Sequence, residues 1–129
     1  MKIYVAASSR EPSRARAFAD ALERNGHTIT HRWFNATIPE EGDSALTLTE
    51  RMDVRRSCEA GVRAAELLVM LLSDNAQHGS NNERGIAIGA GVPVILVGST
   101  TLYRRSAMYV GDILCHDDDD AIAWIGRAR

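Results

Sequence analysis

The chain is poor in the features that mark several classes of protein. It has only two cysteines, Cys58 and Cys115, in 129 residues, which is too few for a disulfide framework or a metal-binding cluster. Its apolar runs fall well short of the roughly 20 residues that a membrane-spanning helix needs. The net charge is -2, so the chain lacks the basic excess that binding to polymeric nucleic acid requires. These absences argue against a membrane-spanning protein and against polymeric DNA or RNA as a partner.

Signals for export and for several common active sites are missing as well. Met1 and Lys2 lead directly into a predicted strand, so we expect no signal peptide and a cytoplasmic location. The sequence contains no GxGxxG, no GxxxxGK[ST] and no GxSxG, which removes the main support for a dinucleotide site, a P-loop or a hydrolase elbow. The length predicts one domain over residues 1–129.

Strands and helices alternate along the chain. Short apolar runs predict strands over residues 2–7, 28–33, 67–72, 92–97 and 113–115. Amphipathic or small-residue segments predict helices over 14–25 and 49–65, after Glu83, and after the acidic run 117–120, which caps the last helix and is not expected to bind metal. This order predicts an α/β fold, with about five parallel strands in a doubly wound, flavodoxin-like three-layer sandwich.

The second predicted helix has a long aperiodic segment before it. Residues 35–48 contain Pro39 and Gly42 and are expected to form a loop or lid. Thr49 is the expected N-cap of the helix over 49–65. Its expected inward line consists of Met52, Val54, Cys58 and Val62.

The loop between the third and fourth strands is the first candidate for a functional site. Residues 73–82 follow a buried strand, and the carboxyl ends of parallel strands are where open α/β sheets bind ligands. The turn at Gly79 and Ser80 allows a substrate to approach closely. Glu83 follows it at the start of a helix. Its carboxylate either interacts favourably with the helix dipole or attacks an electrophilic carbon of a substrate.

The loop after the first strand is the second candidate. Ser8, Ser9 and Arg10 combine hydroxyls, a guanidinium and the free backbone N–H groups of a helix that begins near Pro12. These groups suit a phosphate or carboxylate. The alternative is an ordinary solvated turn with a capping serine.

Several stretches together resemble the nucleoside 2-deoxyribosyltransferase superfamily, and in particular its small deoxynucleoside monophosphate N-glycosidase members. The most specific is the Gly-Ser-x-x-Glu-x-Gly block ahead of a small-residue helix and an apolar strand. The resemblance covers nearly the whole chain and is carried by the segments MKIYVAASSRE, GHTITHRWF, RAAELLVMLL and HGSNNERGIAIGAGVPVILVG.

The resemblance implies roles for particular residues. It implies that Glu83 is the nucleophile on the anomeric carbon and that the loop with Ser8, Ser9 and Arg10 binds the sugar or its 5′-phosphate. Residues 105–108 resemble a Ser-Ala-Met segment with which a neighbouring subunit closes the phosphate site, which implies binding roles for Ser106 and Met108 and a homodimer or larger assembly. In isolation, the same segment is a plain surface connection.

Glycoside cleavage through one carboxylate calls for a second acid nearby. Asp74, in the same loop as Glu83, is the candidate from spacing, with an Asx-turn residue as the alternative. The chain also departs from the superfamily. Cys58 occupies a position where many relatives carry an aspartate. Glu66 occupies the position of an aspartate before the third strand, so it keeps the negative charge on a longer side chain.

Three functions follow from these residues. The favoured one is hydrolysis or base exchange at the N-glycosidic bond of a nucleoside or nucleoside 5′-monophosphate, with Glu83 as nucleophile and without a cofactor or metal. The second is a catalytically weak nucleotide-binding or sensor module, which the departure at Cys58 encourages. The third is a glycohydrolase of a dinucleotide such as NAD, because one glutamate under the anomeric carbon serves there too.

Overall fold

The computed structural model describes residues 1–37, 39, 42–98, 107–109 and 112–128. These residues form a five-stranded, all-parallel sheet in the order β2-β1-β3-β4-β5, which confirms the predicted flavodoxin-like topology. The strands are β1 (Lys2–Ala6), β2 (Thr28–Ile29), β3 (Leu67–Leu71), β4 (Val94–Val97) and β5 (Ile113–Cys115). The helices are α1 (Pro12–Arg24), α2 (Leu48–Ala64), α3 (His78–Gly89) and α4 (Asp118–Arg127).

The helices cover both faces of the sheet. The side chains of α1 and α4 pack with one set of strand residues, and those of α2 and α3 pack with the alternating set. Every residue of β3 is buried, as expected for a central strand covered on both sides. The sheet therefore has a three-layer arrangement, and the loops at the carboxyl ends of β1 and β3 meet where the strand order reverses.

Several predicted boundaries were wrong, and three of them concern elements beside the cavity. β2 ends at Ile29, because Trp33 turns back and its indole Nε1 donates a 2.8 Å hydrogen bond to the Val5 carbonyl. The N-cap of α2 is Thr47, whose capping box with Glu50 satisfies backbone donors at both positions. α3 begins at His78, so the predicted turn at 79–80 is the first turn of the helix.

The predicted inward line of α2 was also wrong in part. Met52 and Val54 are 42% and 45% exposed, whereas Val62 is fully buried. In α4, Ala121 and Ile125 are the buried apolar residues. Among the described residues, no helix combines the length and the apolar character that crossing a membrane would require.

Gly61 sets how closely α2 approaches the sheet. A Cβ atom at this position would lie 2.7 Å from the His31 Cβ and 3.0 Å from the Tyr4 Cε2. Both distances are shorter than van der Waals contact, so only glycine allows α2 to lie against the Tyr4 ring. The helix thereby brings its own cavity-facing residues close to β1.

Candidate active site

A cavity of about 350 Å³ opens at the carboxyl edge of the sheet, beside the point where the strand order reverses. Its walls come from the loop after β1, the segment after β2, one side of α2 and the first turns of α3. The lining residues are Ala7, Ser8, Ser9, Trp33, Ala36, Thr37, Pro39, Asp43, Leu46, Val54, Cys58, Ala76, His78, Gly79, Ser80 and Glu83. This is the edge at which open α/β sheets bind ligands.

Glu83 is the buried carboxylic acid of this cavity. It lies in the second turn of α3 and is only 9% exposed. The Tyr4 hydroxyl, on the internal strand β1, donates a hydrogen bond to its Oε2 atom. Tyr4 is itself fully buried, so its ring fixes the position of the carboxyl group from beneath.

Burial controls the ionisation of Glu83. Loss of solvent raises the pKa of Glu83 to about 7, although the hydrogen bonds from Tyr4 and Cys58 act in the opposite direction. Burial and the neighbouring carboxylate raise the pKa of Tyr4 far above its usual range. At neutral pH, therefore, the tyrosine keeps its proton while Glu83 exchanges its own, as a carboxylate nucleophile or base requires.

Cys58 is the third member of this group. It is partly buried on α2, lines the cavity, and has its thiol within hydrogen-bonding reach of Tyr4 and Glu83. Burial raises the pKa of the Cys58 thiol to about 11, so the group is a neutral thiol at physiological pH. The position next to Glu83 thus carries no charge.

Small polar groups line the side of the cavity nearest β1 and α3. Ser8 is 1% exposed, and its Oγ accepts a 3.2 Å hydrogen bond from the Arg10 backbone N–H. Ser80 is also 1% exposed, and its Oγ has no hydrogen-bond partner among the described residues. Gly79 has open space beside its Cα, so its backbone is accessible to a ligand. This side offers hydroxyls and the N–H groups of a helix terminus.

Gln77 holds the loop that carries these groups. It is 4% exposed, its Nε2 donates a 2.9 Å hydrogen bond to the Leu71 carbonyl, and its Oε1 accepts one from the Ser73 N–H at 3.3 Å. The side chain therefore satisfies a backbone donor and a backbone acceptor at the end of β3, as a neighbouring strand would. As a result, the first turn of α3 lies in a defined position over the sheet edge.

Five of the sequence-predicted residues, Glu83 included, line the cavity, and four of the other predicted residues that the structure describes do not. The lining residues among them are Ser8, Ser9, Gly79, Ser80 and Glu83 itself, together with their neighbour Cys58. Arg10 and Asp74 are exposed and do not line it. Met108 is 72% exposed and contributes its carbonyl to Arg84 at 2.8 Å. Ser106 lies outside the described residues.

Glu66 lies at the other end of the sheet. It precedes β3, and its Oε2 accepts a 2.6 Å hydrogen bond from the Lys2 backbone N–H at the start of β1. Glu83 and the cavity are at the carboxyl ends of the same strands. The geometry thus gives Glu66 a structural contact between two strand starts and does not bring it to the cavity.

Sequence reasoning missed four residues of the site. Tyr4 was predicted only as a strand residue. A tyrosine in a buried strand needs a hydrogen-bond partner for its hydroxyl, and this requirement could have identified Tyr4 as a residue of the site. Asp43 and His78 line the cavity from segments that were predicted as loops, and Trp33 lines it from a segment that was predicted as a strand. Nothing local in the sequence distinguishes these three from solvated residues.

Comparisons with known proteins extend over nearly the whole chain at the level of structure. Neither a protein-family model nor a curated protein matches the sequence. A CMP N-glycosidase from Clostridium botulinum has 13% identity and a TM-score of 0.60, over 97% of this chain and 98% of the other. A 2-deoxyribosyltransferase from Bacillus psychrosaccharolyticus has 21% identity and a TM-score of 0.68, over 95% and 90%.

A conserved protein from Enterococcus faecalis V583 is similar to the same extent, with 19% identity and a TM-score of 0.68 over 100% of this chain and 99% of the other. At these low sequence identities, the similarity shows a shared fold and nothing about individual side chains. The resemblance noted in the sequence is thereby confirmed for the fold: the chain has the fold of the nucleoside 2-deoxyribosyltransferase-like proteins.

Proposed function

We propose that this protein cleaves the N-glycosidic bond of a nucleoside or nucleoside 5′-monophosphate, with Glu83 as the nucleophile. The observation that carries the proposal is the position of Glu83, a buried carboxyl group that faces a cavity of substrate size and is held by the Tyr4 hydroxyl. The two enzymes of the same fold, a CMP N-glycosidase and a 2-deoxyribosyltransferase, support the reaction class.

The chemistry begins with the ionised form of Glu83. Cleavage of an N-glycoside passes through an oxocarbenium-like state, which a carboxylate beneath the sugar ring either stabilises or traps as a glycosyl ester. The Glu83 oxygen bonds to the anomeric carbon as the bond to the base breaks. Water then attacks that carbon in hydrolysis, or a second base does so in exchange.

Tyr4 acts on this step through Glu83. Its hydroxyl holds one carboxylate oxygen, which fixes the direction of the other and favours the ionised form. Because the phenol stays protonated at neutral pH, it remains a donor throughout the reaction. Tyr4 is therefore a positioning residue in this proposal.

The sugar and any 5′-group are assigned to the polar side of the cavity. The hydroxyls of Ser8 and Ser80, the Gly79 backbone and the N-terminus of α3 provide donors there, and the Ser80 hydroxyl lacks a partner among the described residues. Since Arg10 does not line the cavity, we assign no phosphate contact to its guanidinium. Asp74 does not line the cavity either, so we assign it no part in protonating the base.

The deciding experiment is a search for free base. The protein is incubated with a panel of ribonucleosides, deoxyribonucleosides and their 5′-monophosphates, and the released base is separated by chromatography. We expect release by the wild-type protein and a loss of several orders of magnitude in Glu83→Gln. Glu11→Gln is the matched control, because it removes a carboxylate that caps no backbone group and lies outside the cavity.

Two results would contradict the proposal. If Glu83→Gln keeps activity within about tenfold of the wild type, Glu83 is not the nucleophile. If no base is released from any compound while a nucleotide raises the Tm, the protein is a nucleotide-binding module. The homo-oligomeric state remains a prediction, which light scattering of the purified protein would check.

A further inference from the structure

The cavity has two chemically different sides. One side carries the serine hydroxyls and the start of α3 described above. The other carries apolar and aromatic groups, namely Trp33, Leu46, Val54 and the Cys58 thiol. A planar ring suits the apolar side, and the sugar suits the polar side. Cys58, on α2, lies within hydrogen-bonding reach of Glu83.

The charges around the apolar side favour a positive ring. Asp43 and Glu83 line the cavity, and no Lys or Arg is present among the described residues that line it. Trp33 is held in place by the hydrogen bond from its indole to the Val5 carbonyl, and an indole face attracts cations. A ring with a positive charge would thus gain from two carboxylates and from an aromatic face.

The buried floor of the cavity is a poor source of protons for a leaving base. A neutral base that departs from the sugar must be protonated, because its ring nitrogen otherwise leaves as an anion. Besides Glu83 itself, which must be ionised to attack, the hydrogen-bonding neighbours on this floor are Tyr4 and Cys58. Burial weakens both as acids. Among the described lining residues, the other groups that can carry a proton are His78 and Asp43, and both are exposed.

We propose that the preferred substrates are N-glycosides whose leaving ring is a cation, such as an N-ribosyl pyridinium or an N-alkylated purine nucleoside. The inference rests on the proposed function and specifies its substrate class. In the step, the Glu83 carboxylate bonds to the anomeric carbon, and the electron pair of the broken bond neutralises the ring nitrogen. The ring departs without accepting a proton. Water then releases the sugar and gives up one proton to the solvent.

Two matched pairs of substrates test the inference. N-Ribosylnicotinamide is compared with its uncharged 1,4-dihydro form, and 7-methylguanosine with guanosine, each at pH 6.5, where 7-methylguanosine keeps its N1 proton and is mainly a cation. Because the cations also decompose faster in water, each rate is divided by the spontaneous rate in the same buffer. We expect this ratio to be at least about tenfold higher for the cation of each pair, from the combined carboxylate and indole contacts.

A binding measurement separates charge recognition from chemistry. The 1-methylnicotinamide cation has no glycosidic bond and is compared with nicotinamide as a competitive inhibitor of base release. We expect the cation to bind more tightly by about tenfold and expect Trp33→Leu to remove the part of that difference that comes from the indole face. Trp33→Phe, which keeps an aromatic face, should retain part of it.

Cys58→Asp tests whether the lack of a buried proton donor is what disfavours neutral leaving bases. It puts a carboxyl group beside Glu83, so the rate with guanosine should rise relative to that with 7-methylguanosine. Cys58→Ser is the control, because it keeps a small neutral donor and should leave the preference for cations unchanged. A far-ultraviolet dichroism spectrum identifies any variant that fails to fold.

The possible outcomes distinguish the two proposals. Glu83-dependent cleavage of the neutral member of each pair at an equal or greater ratio overturns the inference and leaves the proposed function standing. Loss of activity toward the neutral substrates in His78→Ala or Asp43→Asn also overturns it, because an exposed lining residue then supplies the proton to the leaving base. If no compound of either charge is cleaved, the proposed function fails and this inference fails with it.

Discussion

The Tyr4 hydroxyl on β1 donates a hydrogen bond to the Glu83 carboxyl on α3, across 79 positions of sequence. The contact joins a fully buried strand residue to the buried acid of the cavity. A strand that is paired on both sides, as β1 is, gives more rigid support than a loop, so the orientation of Glu83 depends little on the surrounding loops.

The pH dependence of base release should follow the ionisation of Glu83. Because burial raises the pKa of Glu83 to about 7, the active carboxylate form predominates only above that pH. We therefore expect kcat/KM to rise about tenfold per pH unit below pH 7 and to level off above it, measured between pH 5 and 9 with one substrate. A profile that is flat across this range would contradict the role of Glu83 as the ionised group.

Tyr4→Phe should move that profile. Without the hydroxyl, Glu83 loses a donor that favours its ionised form, so its pKa rises and the ascending limb shifts to higher pH. At pH 7 we expect kcat/KM to fall about tenfold, the size expected for one hydrogen bond to a charged group, with partial recovery at pH 9.

The control for this variant is Tyr109→Phe. The Tyr109 hydroxyl donates a 2.6 Å hydrogen bond to Asn81 Oδ1, and neither residue lines the cavity. We expect its pH profile to match that of the wild type. If Tyr4→Phe lowers the rate equally at every pH, then the hydroxyl does not act through the ionisation of Glu83.

The wild-type protein should become less stable as Glu83 ionises. The folded state holds the Glu83 proton up to about pH 7, whereas the unfolded chain releases it near the ordinary value of 4.5. The free energy of unfolding therefore loses a contribution of up to about 3 kcal/mol as the pH rises from 4.5 through 7. Glu83→Gln has no charge to bury, so it should gain that stability at pH 8 and little at pH 4.

Urea unfolding of both proteins at pH 4 and pH 8 measures the difference directly. Glu11→Gln is again the control and should show no comparable gain at pH 8, because the Glu11 carboxylate is only partly buried. Equal stability of Glu83→Gln and the wild type at pH 8 would mean that the folded protein accommodates the Glu83 charge without cost. The gain, if found, would show that the site is held at the expense of stability.

The fold was predictable because it depends on local patterns. The strand at 113–115 was placed at its observed bounds, and the buried run of β3 was placed within one residue, since both depend on short apolar runs between turns. The predicted strand over 28–33 failed after Ile29, because a contact between Trp33 and Val5 overrides the alternation of the sequence. The predicted N-cap of α2, Thr49, lies two residues after the observed one, Thr47, which is identified by its pairing with Glu50.

The candidate site was predictable only in part. Glu83 was found because the end of a parallel strand fixes its place at the sheet edge. The choice of Asp74 as a second acid relied on nearness in sequence, but that side chain is exposed and does not line the cavity. Glu66 was chosen for its charge, and it lies at the opposite edge. Tyr4 was missed because its contact with Glu83 exists only once the helices are packed on the sheet.

The last prediction concerns Gly61, whose missing side chain makes room for the Tyr4 ring. In Gly61→Ala, the new Cβ would lie 3.0 Å from the Tyr4 Cε2 and 2.7 Å from the His31 Cβ, so either α2 or the tyrosine must shift. We expect the free energy of unfolding to fall by about 1–3 kcal/mol, the usual cost of overpacking. We also expect a lower kcat/KM, because the Tyr4 hydroxyl moves relative to Glu83.

Gly85→Ala is the matched control for this variant. Gly85 also lies inside a helix, but a Cβ atom there would meet nothing within 4 Å. The control should gain about 0.5–1 kcal/mol from the better helix propensity of alanine and keep its activity. Urea unfolding and kcat/KM, measured for both variants, check the two effects separately. If Gly61→Ala is as active as Gly85→Ala, the close packing of α2 on Tyr4 does not position the nucleophile.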